Sequence, residues 1–232
     1  MPKARPLRLF FIRHGQTENH ENPPFNGWRD APLTGEGRRQ LDAVADSLGS
    51  IGFDAVYSSD LSRAVYGGSR LAEKAGLNLT IDPKWREMHF GRWEGLNYSQ
   101  IAADDKELIN KIFSADGEDA EFPGGGESSN SFGRRIEAAL EDLRAKHPDG
   151  GRVAVVAHGG VCKALWAILL KIPPHIAWTT IRQDFAAVNM ADCYPSGVSI
   201  AHLINGYVGP EGYHSPGTGL NRLTGKDIFE SM

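Results

Sequence analysis

The chain has little of several things, and each shortage excludes a class. Among 232 residues there are two cysteines, Cys162 and Cys193, and no Cys-x-x-Cys pair, so a disulfide-framed fold and sulfur-rich zinc sites are out. Positive charge is not in excess: 25 Lys and Arg face 29 Asp and Glu, a net charge of −4, which argues against a surface built for nucleic acid. Long apolar runs are missing too, since residues 164–170 fall far short of the roughly 20 that a bilayer span needs. A basic stretch, residues 1–8, leads into Leu9-Phe10-Phe11-Ile12 in the manner of a signal peptide, but Arg13-His14 ends the run too early. A cytoplasmic protein without membrane or nucleic-acid partners is expected. Repeats and low-complexity tracts are absent. What is present, 41% hydrophobic and 23% charged residues, suffices for a buried core in one large domain or two small ones.

Residues 7–12 form a continuous apolar run, the pattern of a strand buried on both faces. Leu41, Val44, Ala45 and Leu48 recur at helical spacing, with Thr34 as a candidate N-cap and Gly49 as the stop. Residues 54–58 read as a strand, residues 61–75 as a helix closed by Gly76, and residues 79–81 as a short strand. Residues 153–157 are a bare aliphatic strand and 162–170 a buried helix, while 187–190 and 198–204 read as a strand pair. The stretch from about 96 to 130, rich in Asp, Gly and Ser and ending in Pro123-Gly124-Gly125-Gly126, reads as a partly helical insertion. Phe132, Ile136, Ala139, Leu140 and Leu143 then restore a helical stripe. The expected fold is α/β: a three-layer α/β/α sandwich around a mainly parallel sheet of about six strands, one antiparallel. Residues 1–206 form one domain in this reading and 207–232 an extension that Tyr213, Leu220, Leu223, Ile228 and Phe229 could dock.

In open α/β sheets, ligands bind at the carboxyl ends of strands. Those ends carry Arg13-His14-Gly15, then Ser58-Ser59-Asp60-Leu61-Ser62-Arg63, then Arg86-Glu87, then His158-Gly159-Gly160. Histidines, arginines and a carboxylate thus converge on one edge, the makings of an anion pocket with titratable groups.

Arg13-His14-Gly15-Gln16-Thr17 with Pro32-Leu33-Thr34, Tyr57-Ser58-Ser59-Asp60-Leu61-Ser62-Arg63-Ala64, Arg86-Glu87 with Phe90-Gly91-Arg92-Trp93-Glu94-Gly95, and Ala157-His158-Gly159-Gly160 occur in order. Together they resemble the four motifs of the histidine phosphatase superfamily, also called phosphoglycerate mutase-like. The resemblance implies that His14 takes the phosphoryl group on a ring nitrogen, kept neutral by Arg13 and Arg63. It implies that Arg13, Arg63 and a protonated His158 hold the phosphate oxygens, and that Glu87 is the general acid and then the base. Gly15, Thr17, Asn19, Gly27 and Gly159 are the candidate substrate-binding residues. A small-molecule phosphomonoester is the expected partner and a homodimer is compatible with the sequence. No metal or cofactor is expected, because the arginines would repel a cation from a set such as His14, His158 and Glu87.

Other readings compete. Phe25-Asn26-Gly27-Trp28-Arg29-Asp30 resembles a mutase segment, so phosphoglycerate isomerisation is the rival activity. Against it, only Lys106 and Lys111 are basic between Leu96 and Phe132, and the Phe90–Gly95 motif and Gly125-Gly126-Glu127-Ser128 resemble the phosphatase branch. A non-catalytic phospho-ligand module should have lost one of the five central residues, and none is missing. Glu94 is the competing carboxylate to Glu87, His89 reads as a structural or pocket-wall residue, and Ser128 or Ser131 could simply cap a helix. Tyr66-Gly67-Gly68 departs from the Thr-Ala found in many members, and close packing is the reading offered for the glycines.

Overall fold

The computed structural model describes residues 5–209 and 212–214. Its elements in chain order are β1 (Leu7–Arg13), α1 (Gly35–Leu48), β2 (Ala55–Ser58), α2 (Ser62–Ala75), β3 (Leu79–Ile81), α3 (Tyr98–Ile112), α4 (Ser129–Lys146), β4 (Gly151–Ala157), α5 (Gly159–Leu170), α6 (Pro174–Thr180), β5 (Val188–Cys193), β6 (Ser199–Gly209) and β7 (Gly212–His214). They build one sheet in the order β3-β2-β4-β1-β5-β6-β7. β1, β2, β3 and β4 pair in parallel, whereas β5 runs against β1, β6 against β5 and β7 against β6.

The apolar run of β1 serves two layers because successive side chains point to opposite faces. Leu7, Leu9 and Phe11 join α3, α4 and α5 in one core cluster, while Phe10 and Ile12 join α1 and α2 in the other. This is the expected three-layer sandwich. The sheet has seven strands and two that run against the rest, where about six and one were expected, because the β6 chain continues past residue 206 and folds back through Tyr207↔His214 pairing. Tyr213 therefore lies in β7, and Leu220, Leu223, Ile228 and Phe229 lie outside the described residues.

Local signals account for most boundaries. The Thr34 hydroxyl accepts from the Gly37 amide at the start of α1. Gly49 does not end that segment in a left-handed turn; its φ is −58° and a 3₁₀ turn, Gly49–Ile51, follows before Gly52 at φ 78°. Gly76 closes α2 at φ 68°, as a left-handed cap should. The insertion is more helical than its composition suggests: Asn97 and Gln100 form a reciprocal capping box ahead of α3. Ser128 and Ser131 do the same for α4, so the cap reading of those serines holds. Gly67 and Gly68 lie where a Cβ would press on Leu41 and on Leu79 and Ser58, at 2.8 and 2.9 Å, so the departure at Gly67-Gly68 brings α2 close to α1 and the sheet.

The loop after β1 and α1 approach each other closely. A Cβ on Gly37 would stand 2.1 Å from the Gln16 carbonyl, and one on Gly15 2.1 Å from the Gly37 carbonyl. These are backbone atoms that cannot swing aside. Gly37→Ala should therefore lower the unfolding free energy by about 2 kcal/mol or more, read as a shifted urea midpoint; an unchanged midpoint would contradict the packing.

Candidate active site

Three parallel strands deliver the site. β1 and β4 end level, with Arg13 opposite Ala157, and β2 ends one step short, with Ser58 opposite Val156. The ladder then runs one residue further on each side, through the His14 amide to the Ala157 carbonyl at 2.9 Å and the Ser59 amide to the Val156 carbonyl at 3.3 Å. That register brings His14, Ser59 and His158 to one spot, with Arg63 entering from the first turn of α2 and His158 serving as the N-cap of α5.

His14 is 6% exposed, and its Nδ1–H donates to the Gly15 carbonyl at 2.7 Å. Burial, and then Arg63 and Arg13, push its pKa well below the usual histidine value. A neutral ring whose proton is held on Nδ1 presents its lone pair at Nε2. The His158 ring lies 5.3 Å away, centroid to centroid, with Nε2 2.7 Å from Ser59 Oγ. It too is pushed well below the usual value, by burial first and then by Arg63, His14 and Arg13. A protonated His158 was expected; without an anion beside it, the cationic and desolvated surroundings keep it neutral.

The arginines are held by backbone carbonyls. Arg13 donates to Gln183 O at 2.6 Å and lies 4.1 Å over the Phe185 ring. Arg63 donates to the Arg29 and Gly27 carbonyls at 2.6 and 2.7 Å. The Nε of each is left without a partner. Among the described residues, the buried side-chain nitrogens and oxygens without a hydrogen-bond partner are Arg13 Nε, Arg63 Nε and His158 Nδ1. Buried polar groups are nearly always paired, so three orphans around one imidazole mark the place of an oxygen-rich anion.

Glu87 faces the same cavity of about 290 Å³, along with Arg13, His14, Thr17, Gly27 and Arg63. Its Oε1 accepts from the Met88 amide and its Oε2 from the Gly160 amide of α5, both at 2.9 Å. A Cβ on Gly160 would lie 2.2 Å from Glu87 Oε1, so this glycine makes room for the carboxylate. The rival Glu94 is occupied elsewhere: it accepts from the Trp28, Arg29 and Phe90 amides and fixes the loop at Gly27, whose φ is 49°. His89 lies against Trp28 with ring centroids 4.6 Å apart and is not among the residues lining the cavity.

The candidate binding residues divide. Thr17 and Gly27 line the cavity. A Cβ on Gly159 would lie 3.3 Å from Arg13 Nε, whereas the bare Cα of Gly15 serves packing against Gly37. Asn19 is not brought to the cavity; it lines a neighbouring hollow with His20, Asn22, Asn97 and Gln100, from a left-handed turn at φ 61°. Ser59, Gln183, Phe185 and Gly160 are the residues the sequence reading passed over. Ser59 and Gly160 stood inside the motifs. Gln183 and Phe185 carry no local signal, since they reach the site only because β5 pairs with β1 and the Ala186 amide bonds the His14 carbonyl at 2.9 Å.

The class of protein is thus an α/β fold that buries two arginines beside an uncharged histidine at the carboxyl edge of its sheet. The family model of the histidine phosphatase superfamily (branch 1) matches residues 9–206, and the chain belongs to that family. Over 177 residues, 73% of this chain and 78% of the other, it is 38% identical to the glucosyl-3-phosphoglycerate phosphatase of Mycobacterium tuberculosis. Over 160 residues, 68% and 69% of the two chains, it is 37% identical to phosphoglycerate mutase-like protein 4 of Arabidopsis thaliana. The structure of the alpha-ribazole phosphatase from Shigella flexneri superposes with a TM-score of 0.75 at 26% identity, covering 86% of this chain and 96% of that one.

The proton inventory is open to measurement. Folding makes His14 and His158 harder to protonate, so they cost no stability above the ordinary histidine value of 6.5 and an increasing amount as pH falls below it. Nitrogen-15 NMR of the ligand-free protein at pH 6 should show both rings neutral, with His14 protonated on Nδ1. An imidazolium signal from His14 at that pH would contradict the electrostatics.

Proposed function

We propose that the chain hydrolyses phosphomonoesters through a phosphoryl group carried on His14 Nε2. The lone pair of Nε2 attacks phosphorus, the bond to the alcohol oxygen breaks, and Glu87 in its acid form gives that oxygen a proton. Glu87, now a carboxylate, takes a proton from the water that attacks the phosphohistidine, and inorganic phosphate leaves. The observation that carries this reading is the set of three unpaired buried nitrogens, two of them guanidinium donors, around a neutral imidazole. Arg13 Nε, Arg63 Nε and His158 Nδ1 would each meet a phosphate oxygen, and charge-assisted bonds of this kind stabilise the transferring group most where water is excluded. A bound phosphate dianion would also offset the two arginines that lower the His158 pKa, which favours protonation of His158 in the complex.

The chain is a phosphoric monoester hydrolase, and small-molecule esters suit the cavity size. The names of the mycobacterial and Shigella relatives favour a phosphorylated sugar derivative or nucleoside-like alcohol. A phosphoglycerate mutase must also hold a second anionic group, and among the described residues the cavity walls carry no Lys or Arg besides Arg13 and Arg63. Lys106 and Lys111 are exposed on α3. The reading takes the enzyme to be cytoplasmic and independent of metal.

The test is a panel of phosphomonoesters assayed with a chelator present, beside 3-phosphoglycerate with its bisphosphate primer. Release of inorganic phosphate unaffected by chelation is expected, with His14→Ala lowering kcat/KM by at least about 10³-fold. An acid-labile phosphoryl group should be trapped on His14 by rapid quenching. Isomerisation without phosphate release, or turnover retained in His14→Ala, would overturn the reading.

A further inference from the structure

We propose that Arg135, locked by Glu127, is a positioning residue for Glu87. The inference rests on the reading of Glu87 as the acid that protonates the leaving group. Residues 84–89 have no strand ladder and only the 3₁₀ turn Pro83–Trp85, so their own backbone bonds cannot fix where Glu87 stands. Arg135, on α4, supplies what is missing. Its Nε and one Nη donate to the two oxygens of Glu127, both at 2.7 Å. The remaining protons go to the carbonyls of Lys84 at 2.8 Å, Arg86 at 2.9 Å and Glu87 itself at 3.0 Å. A guanidinium has five N–H donors, and here five acceptors meet them.

Glu127 extends the clamp by accepting from the His89 amide at 2.9 Å. The strip is thereby pinned at the carbonyls before and at Glu87 and at the amide two residues beyond it. Arg135 is not among the residues lining the cavity; its hydrogen bonds reach the site through the Glu87 strip, and its charge, which Arg135→Lys keeps, also lowers the His158 pKa. Lysine cannot reproduce this arrangement, because an ammonium is a compact point charge with three donors and no planar fork. Loosening the strip moves the carboxylate relative to the Gly160 amide and the leaving oxygen, and a displacement of about 1 Å can cost on the order of 10²-fold in rate.

The experiment compares kcat/KM for two esters, since kcat/KM reports phosphoryl transfer to the enzyme and not the later hydrolysis. p-Nitrophenyl phosphate releases a phenolate that needs no proton; β-glycerophosphate releases an alkoxide that does. Arg135→Lys and Glu127→Gln, checked for folding by circular dichroism and melting temperature, should lose about 10²-fold on the alkyl ester and only a few-fold on the aryl ester. Glu87→Gln is the reference and should show the same selectivity, more strongly. Equal losses on both esters, or no loss, in folded Arg135→Lys and Glu127→Gln would overturn the positioning role while Glu87→Gln stays selective. If Arg135→Lys melts below the assay temperature, Glu127→Gln decides. If Glu87→Gln itself loses equally on both esters, the acid assignment falls and this inference with it.

Discussion

Two guanidiniums buried beside an uncharged imidazole are the constraint on which the rest of this structure depends. Removing a charge from water costs several kcal/mol even after relaxation, and Arg13 and Arg63 have no side-chain carboxylate bonded directly to them. The fold offsets that cost with backbone carbonyls, Gln183 for Arg13 and Gly27 with Arg29 for Arg63. It does so incompletely, leaving Nε of each and Nδ1 of His158 unsatisfied. In the proposed reaction an anion completes the site, and burial together with the charge of the same two arginines keeps both histidines deprotonated beforehand. Anion affinity and nucleophile readiness therefore have one origin.

Topology explains why such an arrangement can be rigid. β1 lies in the centre of the sheet between β4 and β5, so its end is fixed on both sides: by the Ala157 carbonyl for the His14 amide, and by the Ala187 carbonyl for the Arg13 amide at 3.0 Å. The loop after α6 is held in turn by a buried amide cluster in which Asn189 bonds Gln183, Trp166 and the Phe11 carbonyl. Gln183, whose carbonyl grips Arg13, is thus part of the core and not a loose loop residue. Elements remote in sequence reach Arg13 and His14 through very few bonds, the kind of support that keeps a side-chain constellation in place.

Much of this was legible before any coordinates. The apolar run of residues 7–12, the glycine after α2 and the Thr34 cap are local signals, and the rule that ligands gather at strand carboxyl ends put His14, Arg63, Glu87 and His158 on one edge. What was illegible was non-local. Gln183 and Phe185 sit beside Arg13 only because of an antiparallel pairing between strands about 180 residues apart. Arg135 resembles any polar helix residue until the turns after β3 fold back onto α4. α6 is a short helix led by Pro173 and Pro174, with Ala177 as its buried residue, too little for a periodic stripe to show. The seventh strand went unseen because the stretch past Gly206 reads as a tail by composition, and its pairing with β6 is what makes it a strand.

The contrast between Glu87 and Glu94 shows why the functional assignment needs geometry as well as a motif. They are chemically the same side chain, seven positions apart in one stretch of chain, and both accept backbone amides. Glu94 spends its oxygens on the Trp28, Arg29 and Phe90 amides, and a Cβ on Gly27 would lie 2.2 Å from its Oε1. It is a fastener for the loop that Arg63 grips. Glu87 also accepts two amides, but one of them belongs to the first turn of α5, and its carboxylate stands in the cavity wall with His14. In the proposed reaction one carboxylate serves the leaving oxygen and then the attacking water, a double duty open only to the one whose oxygens face the cavity.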